Sequence, residues 1–132
     1  MQDRFKYRFF DVENKKMYDV KNICFVGEPT VTVAYKPVIK KAIYRGYLIQ
    51  CTGLKDKNGK LIYEGDIVKY MYYNPKRYTK WAVAFDQNTL EFGLKDYRYG
   101  GYLRITSHSI LNNKVEVIGN IFQNPELLSE VE

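Results

Sequence analysis

The chain has 132 residues, 45% of them hydrophobic and 27% charged, which excludes a disordered segment and is enough for one domain with a core. No apolar run approaches the roughly 20 residues that span a bilayer, and two cysteines with one histidine are too few for a zinc site. The net charge is +6; because residues 115–132 contain four acids and no base, residues 1–114 carry +10.

The first third of the chain predicts a β-hairpin layer. Residues 4–12 alternate as a strand does, residues 13–16 predict a turn, and residues 17–26 predict the returning strand. Residues 30–35 predict a third strand. Four basic residues and Pro37 then interrupt the pattern over residues 36–45, where we expect a short helical turn and a sub-boundary within a single domain spanning 1–132.

Residues 52–70, TGLKDKNGKLIYEGDIVKY, hold the strongest turn signals. Asn58-Gly59 predicts a type I′ hairpin turn, because both residues tolerate positive φ. Gly65 predicts a second tight turn that a side chain would strain, and Asp66 is expected to bond nearby amides there. We interpret the segment as a structural corner, since acid/base work by Glu64 and Asp66 would need a cleft and shifted pKa values.

The second half continues as short predicted strands, over residues 66–73, 80–86, 90–96, 102–105 and 114–122. Residues 81–85 alternate large and small side chains, so one face of that strand is bulky and the other thin. The C-terminus predicts one or two helical turns, with Asn124 as the N-cap and Pro125 at the first helical position. Short strands joined by turns indicate an all-β barrel or sandwich.

Three stretches, RFFDVENKKMYDV (8–20), CTGLKDKNGKLIYEGDIVKY (51–70) and VEVIGNIFQNPELL (115–128), resemble the YopX family, small proteins encoded by phages and prophages of bacteria. The middle block is specific and the outer two support it; residues 36–44 and 72–80 match nothing diagnostic. The resemblance implies a β-rich fold with an SH3-like barrel portion. Together with the elements that the residues predict, the expected fold is mainly β, with an N-terminal β-hairpin layer, a small SH3-like barrel and a short C-terminal helical turn. It also implies a phage origin and no reaction. Because the sequence shows neither a membrane span nor a signal peptide, we expect the protein in the cytoplasm of the bacterial host cell.

Two stretches that mix rings with positive charge are the best candidates for a binding site. Residues 69–81, KYMYYNPKRYTKW, contain no acid, and residues 95–104, KDYRYGGYLR, contain one. If they lie side by side, the tyrosines could stack on unpaired bases while the basic groups neutralise phosphates. The candidate residues are Tyr72, Tyr73, Lys76, Arg77, Tyr78, Lys80, Tyr97, Arg98, Tyr99 and Arg104.

Other interpretations of the same residues stay open. Tyr70, Tyr72 and Trp81 could fill the core while the basic residues solvate edge strands. The rings could instead anchor a host or phage protein, or a second copy of the chain in a homo-oligomer. We expect no membrane partner.

Catalysis is the weakest expectation. A metal-dependent hydrolase would need Glu64, Asp66 or Asp86 to hold a cation, and nothing in the sequence groups them. His108, between two serines, reads as an exposed loop residue, and Cys24 and Cys51 read as reduced and half-buried. We therefore expect no enzyme, no cofactor and no metal.

Overall fold

The computed structural model describes residues 5–27, 30–34, 40–43, 46–71, 78–96, 102–104 and 114–129. Over these residues the chain forms two antiparallel sheets and one short helix, which confirms the prediction of a mainly β fold. The first sheet has the order β4-β3-β2-β1-β5-β6, with strands β1 Tyr7–Asp11, β2 Lys16–Cys24, β3 Thr30–Ala34, β4 Lys40–Ile43, β5 Gly46–Lys55 and β6 Leu61–Tyr63.

The second sheet has the order β10-β9-β8-β7-β11. Its strands are β7 Asp66–Met71, β8 Tyr78–Asp86, β9 Glu91–Lys95, β10 Tyr102–Arg104 and β11 Val115–Asn120. In the described part of the chain, β10 and β11 are the edges of this sheet and no closed barrel is found. The SH3-like barrel is therefore not confirmed.

β1 explains why the first sheet is apolar on both faces. Its consecutive residues Phe9 and Phe10 point to opposite faces, because side chains alternate along a strand. Phe9 packs with Val31 and Val33, whereas Phe10 packs in a cluster with Ile49. Each fully buried side chain of this size contributes about 1.5–3 kcal/mol.

The second sheet shares its core with the first. Val68 and Val83 from β7 and β8 lie in one buried cluster, and Ile62 from β6 of the first sheet belongs to the same cluster. Trp81 packs against it from the bulky face of β8, while Ala82 lies on the thin face. The predicted difference between the two faces of this strand is confirmed.

The chain passes from one sheet to the other at Glu64-Gly65. Gly65 has φ +85°, and a Cβ there would lie 2.5 Å from Cε2 of Phe122. Glu64 N–H donates to the Gln50 carbonyl of the first sheet (2.9 Å), and Gly65 N–H donates to the Val83 carbonyl of the second (2.7 Å). The predicted structural corner is confirmed as a junction between two sheets.

The turn at Asn58-Gly59 differs from the expected type I′. Gly59 has positive φ (+80°), whereas among described non-glycine residues only Lys15 and Leu90 do. Gly59 N–H donates to the Asp56 carbonyl and Asp56 N–H to the Lys60 carbonyl, so the loop has three residues. That pattern is typical of a type I turn followed by one left-handed glycine. Asp56 stabilises this loop conformation, because its Oδ1 accepts hydrogen bonds from the N–H groups of Asn58 and Lys60.

Residues 40–43 correct a further expectation. The helical turn predicted there is wrong, because this segment forms β4 and pairs with β3, Val31 opposite Ile43. The β-branched residues of β3 offer a partner that local propensity cannot reveal. β4 belongs to the first sheet, and the chain passes to the second sheet only at Gly65. The sub-boundary near residues 36–45 stays a prediction.

The C-terminal helical turn is confirmed as α1, Glu126–Ser129. The Asn124 side chain, however, turns back toward β11, where its Oδ1 accepts from Asn120 N–H (3.2 Å). Among the described helical residues no helix is long and apolar enough to cross a membrane. Cys24 is exposed and Cys51 is fully buried, whereas both were expected to be half-buried.

Candidate functional site

One face of the second sheet collects cationic side chains. Lys69 of β7 is directly opposite Lys80 of β8, and Met71 is opposite Tyr78, so the pleat places these side chains on one face. Farther along β8, Ala82 on the same face is opposite Lys95 of β9. We call Lys69, Tyr78, Lys80 and Lys95 the basic face.

The lysine pair is the central feature of the basic face. Lys69 Nζ lies 4.4 Å from the centroid of the Tyr78 ring, a cation–π contact. Lys69, Tyr78 and Lys80 are all half-buried. Like charges directly opposite each other destabilise a strand pair. On its other side Lys69 is directly opposite Glu116 of β11, whose carboxylate lies 3.6 Å from Lys57 Nζ, so one acid borders the lysine pair.

The register extends this face to β10. Lys95 is opposite Tyr102, and Gly93 is opposite Arg104. Because Gly93 is also opposite Ala84 of β8, position 104 belongs to the same sheet face as Lys80. The structure thus brings three candidate residues of the sequence, Tyr78, Lys80 and the backbone position of Arg104, to one face.

The remaining candidates fall between strands. Tyr72, Tyr73, Lys76, Arg77, Tyr97, Arg98 and Tyr99 lie outside the described residues. β8 runs antiparallel to both β7 and β9, so β7 and β9 end at the same end of the sheet. The last described residues of β7 and β9, Met71 and Lys95, therefore lie toward the end of the sheet that carries the lysine pair.

Two rings of the first basic-aromatic stretch serve the core instead. Tyr70 and Trp81 pack against the buried cluster of the second sheet, as the core interpretation expected. Trp81 Nε1–H donates to Thr79 Oγ1. The aromatic residues of this stretch are thus divided between the core and the basic face, because the strands have a period of two.

The far end of the same sheet is acidic. Asp86 of β8 is directly opposite Glu91 of β9. The Asp86 Oδ1 accepts from Asn88 N–H at 2.9 Å and shapes the β8–β9 turn. Lys69, Lys80 and Lys95 therefore lie away from the Asp86–Glu91 end of the sheet, and Glu116 of β11 is the acid that faces Lys69.

The carboxylates of the corner have shifted pKa values and structural partners. Asp66 is buried, and its Oδ2 accepts from Tyr63 N–H at 2.8 Å. Burial raises the pKa of Asp66 to about 6, although that hydrogen bond lowers it in part; burial also raises the pKa of Glu64. As predicted, Asp66 bonds a nearby amide and fixes the turn. A shifted pKa here follows from enclosure rather than from a reactive cleft.

No metal site is found among the residues that the structure describes. There, no group of three or more His, Cys, Asp or Glu side chains is placed to hold an ion. Asp66 is held by Tyr63 and Asp86 by Asn88, each within its own turn. His108 lies outside the described residues.

Sequence reasoning missed Lys69 and Lys95 as members of the site. Both stand at the start of the stretches that attracted attention, 69–81 and 95–104. The sequence positions of Lys69 and Lys95 show that they share a face with Tyr78 and Lys80 only once the strand register is known. Parity along each strand groups residues of one strand, but grouping residues of neighbouring strands also needs the register.

The fold and the family are supported by comparison with known proteins. The family model described as YopX protein matches residues 6–129. The crystal structure of protein EF1440 from Enterococcus faecalis is 25% identical with a TM-score of 0.64, covering 93% of this chain and 96% of that chain. The crystal structure of protein yopX from Bacillus subtilis is 23% identical with a TM-score of 0.63, covering 98% of this chain and 99% of that chain. A search of curated proteins found no match. With a family match over nearly its whole length, the chain belongs to the YopX family.

Proposed function

We propose that this protein is a non-catalytic binding module that takes single-stranded nucleic acid on its basic face. The observation that carries the proposal is the cross-strand pair of Lys69 and Lys80 beside the ring of Tyr78. A base stacked on an aromatic ring contributes about 1–3 kcal/mol, and lysines beside it neutralise phosphates. A cation–π contact at a surface is weaker, about 0.5–1 kcal/mol, so a phosphate can draw Lys69 away from the ring.

The distribution of charge supports an anionic partner. Residues 1–114 carry +10, and the acidic pair Asp86 and Glu91 lies at the other end of the sheet. The segments 72–77 and 97–101 add Lys76, Arg77 and Arg98 between strands that flank the basic face. Single strands are favoured over duplex, because stacking requires bases that are not already paired.

The sequence resemblance supplies the biological setting of the proposal. The proposal takes the protein to be a phage or prophage product that meets nucleic acid in the cytoplasm of a bacterial host, and the resemblance supports that setting. The proposal includes the expectation that the second sheet belongs to an SH3-like barrel, since small barrels often bind nucleic acid on one face.

Fluorescence anisotropy with short labelled oligo-dT and oligo-U across a salt series tests the proposal. We expect binding at low salt that weakens steeply as salt is added, because phosphate contacts release counterions. Lys80→Gln should reduce the magnitude of the slope of log K against log salt by about 0.7. Lys16→Gln is the matched control: Lys16 is an exposed lysine on β2 of the first sheet, and its loss should leave the slope unchanged.

Two results would contradict nucleic-acid binding at this face. One is the absence of any anisotropy change at low salt. The other is an equal loss for Lys80→Gln and Lys16→Gln, because it would indicate attraction by net charge alone. Circular dichroism of both variants establishes that the sheets remain folded.

Self-association, or contact with a host or phage protein, is a second candidate, favoured by the sheet edges. In the described strands, β4 and β10 each pair on one side only. Such edges can accept a strand from another chain. Phe25 and Val26, 73% and 87% exposed at the end of β2, add an apolar tip. Light scattering that shows a monomer across the working concentration range would contradict the homo-oligomer.

A further inference from the structure

The first sheet carries an open groove that is separate from the basic face. Its volume is about 630 Å³. Small-molecule sites usually measure roughly 300–1,000 Å³. Residues from β1, β2 and β6 line it, although β5 and β1 separate β6 from β2 in the sheet order. The sheet therefore curls until β6 faces the second half of β2.

Tyr63 is a buried tyrosine of the groove lining that lies close to several charged side chains. The side chain is 5% exposed, and the Arg8 Cζ lies 3.8 Å from the ring centroid. Arg8 is directly opposite Asp19 on β2. Burial raises the pKa of the Tyr63 hydroxyl, and the positive charges of Arg8 and Lys6 lower it in part. Arg8, Lys6 and Asp19 thus all lie close enough to act on one buried phenol.

The lining combines cationic and apolar groups. Lys6 and Lys21 contribute positive charge, and Asp19 is the acid among the described lining residues. Leu61 and the exposed ring of Phe5 contribute apolar surface. Arg8 lies beneath the groove, and the described residues around it are net positive, which suits an anion attached to a ring.

We propose that this groove binds a small aromatic phosphate monoester, the chemical class of a nucleoside monophosphate. Lys6 and Lys21 would pair with the phosphate, and the exposed ring of Phe5 would contact the base. Asp19 can accept a hydrogen bond from an exocyclic amine of a base, whereas it would repel the carboxylates of an acidic peptide. The site lies in the first sheet, so it succeeds or fails independently of nucleic-acid binding at the basic face.

Adenosine monophosphate is the probe, titrated by calorimetry and mapped by amide chemical shifts on the full chain. We expect shift changes on residues 6–7, 19–23 and 61–63, and about tenfold weaker binding of both adenosine and inorganic phosphate. Lys21→Glu should weaken binding about tenfold or more. Lys16→Glu, the same charge change on the same strand outside the groove, should leave it within about twofold.

Three outcomes would overturn the site. Adenosine monophosphate could cause no shifts in these ranges, or cause them only on β7 to β9. Lys16→Glu could weaken binding as much as Lys21→Glu, which would indicate net charge alone. An acidic peptide could displace adenosine monophosphate or bind in its place, which would make the ligand class wrong.

Discussion

Val117 N–H donates a hydrogen bond of 2.9 Å to Oδ2 of Asp56, which is 61 residues earlier in the chain. The same carboxylate accepts from Asn58 and Lys60 through Oδ1. Lys57 N–H adds a bond to the Val115 carbonyl. The turn between β5 and β6 of the first sheet is thereby held on β11, an edge strand of the second. One buried side chain both shapes a local turn and joins the two sheets.

Asp56→Asn should lower the free energy of unfolding by about 1–3 kcal/mol. Both Asp56 oxygens accept backbone N–H groups, and the amide that replaces one oxygen cannot accept. Urea denaturation measures the change. A variant as stable as the parent would mean that water replaces the lost acceptor.

Asp66→Asn should raise the free energy of unfolding near neutral pH, whereas Asp56→Asn should lower it. The carboxyl accepts one backbone bond, from Tyr63, which an asparagine oxygen can also accept. The pKa of Asp66 is raised from 3.8 to about 6, so the folded state holds a proton that the unfolded state has released in this interval. The stability due to this proton is complete below about pH 4 and is lost as pH rises through about 6.

The parent should therefore lose stability relative to Asp66→Asn between about pH 4 and pH 7, on the order of 2 kcal/mol. Urea unfolding of both proteins at intervals across this range gives the difference directly. Taking the difference removes the contributions of other carboxyl groups. A difference that does not change with pH would show that Asp66 titrates normally.

Gly65→Ala and Gly59→Ala form a matched pair. Both glycines have left-handed φ, +85° and +80°. Space differs: a Cβ at Gly59 meets nothing within 4 Å, whereas a Cβ at Gly65 would lie 2.5 Å from the Phe122 ring. We expect Gly59→Ala to cost about 1 kcal/mol and Gly65→Ala about 3 kcal/mol, measured by urea unfolding. Equal costs would show that the Phe122 ring moves aside freely.

A double-mutant cycle with Phe122→Leu isolates the steric part. Phe122 stacks near Phe10 and Tyr47, with ring centroids 5.3 and 5.5 Å away, so its replacement alone should destabilise the corner. In that background Gly65→Ala should cost about 1 kcal/mol, close to Gly59→Ala, because only the backbone strain remains. Additive costs would place the strain entirely in the backbone.

Tyr78→Leu tests the ring of the basic face. It should weaken oligonucleotide binding by about 1–3 kcal/mol, since stacking is lost, and leave the salt slope unchanged. Lys80→Gln changes the slope, so the two variants separate stacking from charge. A Tyr78→Leu variant that binds as tightly as the parent would exclude Tyr78 as a stacking platform.

The sequence by itself determined most of the strand segments, the tight turn at Gly65 and the resemblance to the family, because alternation, left-handed glycines and motifs are local properties. The strand at residues 40–43 was not predicted, because it depends on the pairing of Val31 with Ile43, and propensity treats these two chain segments separately. The turn type at Asn58-Gly59 was also predicted wrongly, because the hydrogen bonds that Asp56 accepts from Lys60 and Val117 select the three-residue loop.

Only the tertiary structure decided which side chains share a surface. A shift of one residue in register moves every side chain to the other face, so Lys69 opposite Lys80 could not be read from spacing. The groove between β2 and β6 depends on the curl of a whole sheet. Alternation along a strand is set by neighbouring residues, whereas register and curvature are set by contacts between residues far apart in the chain.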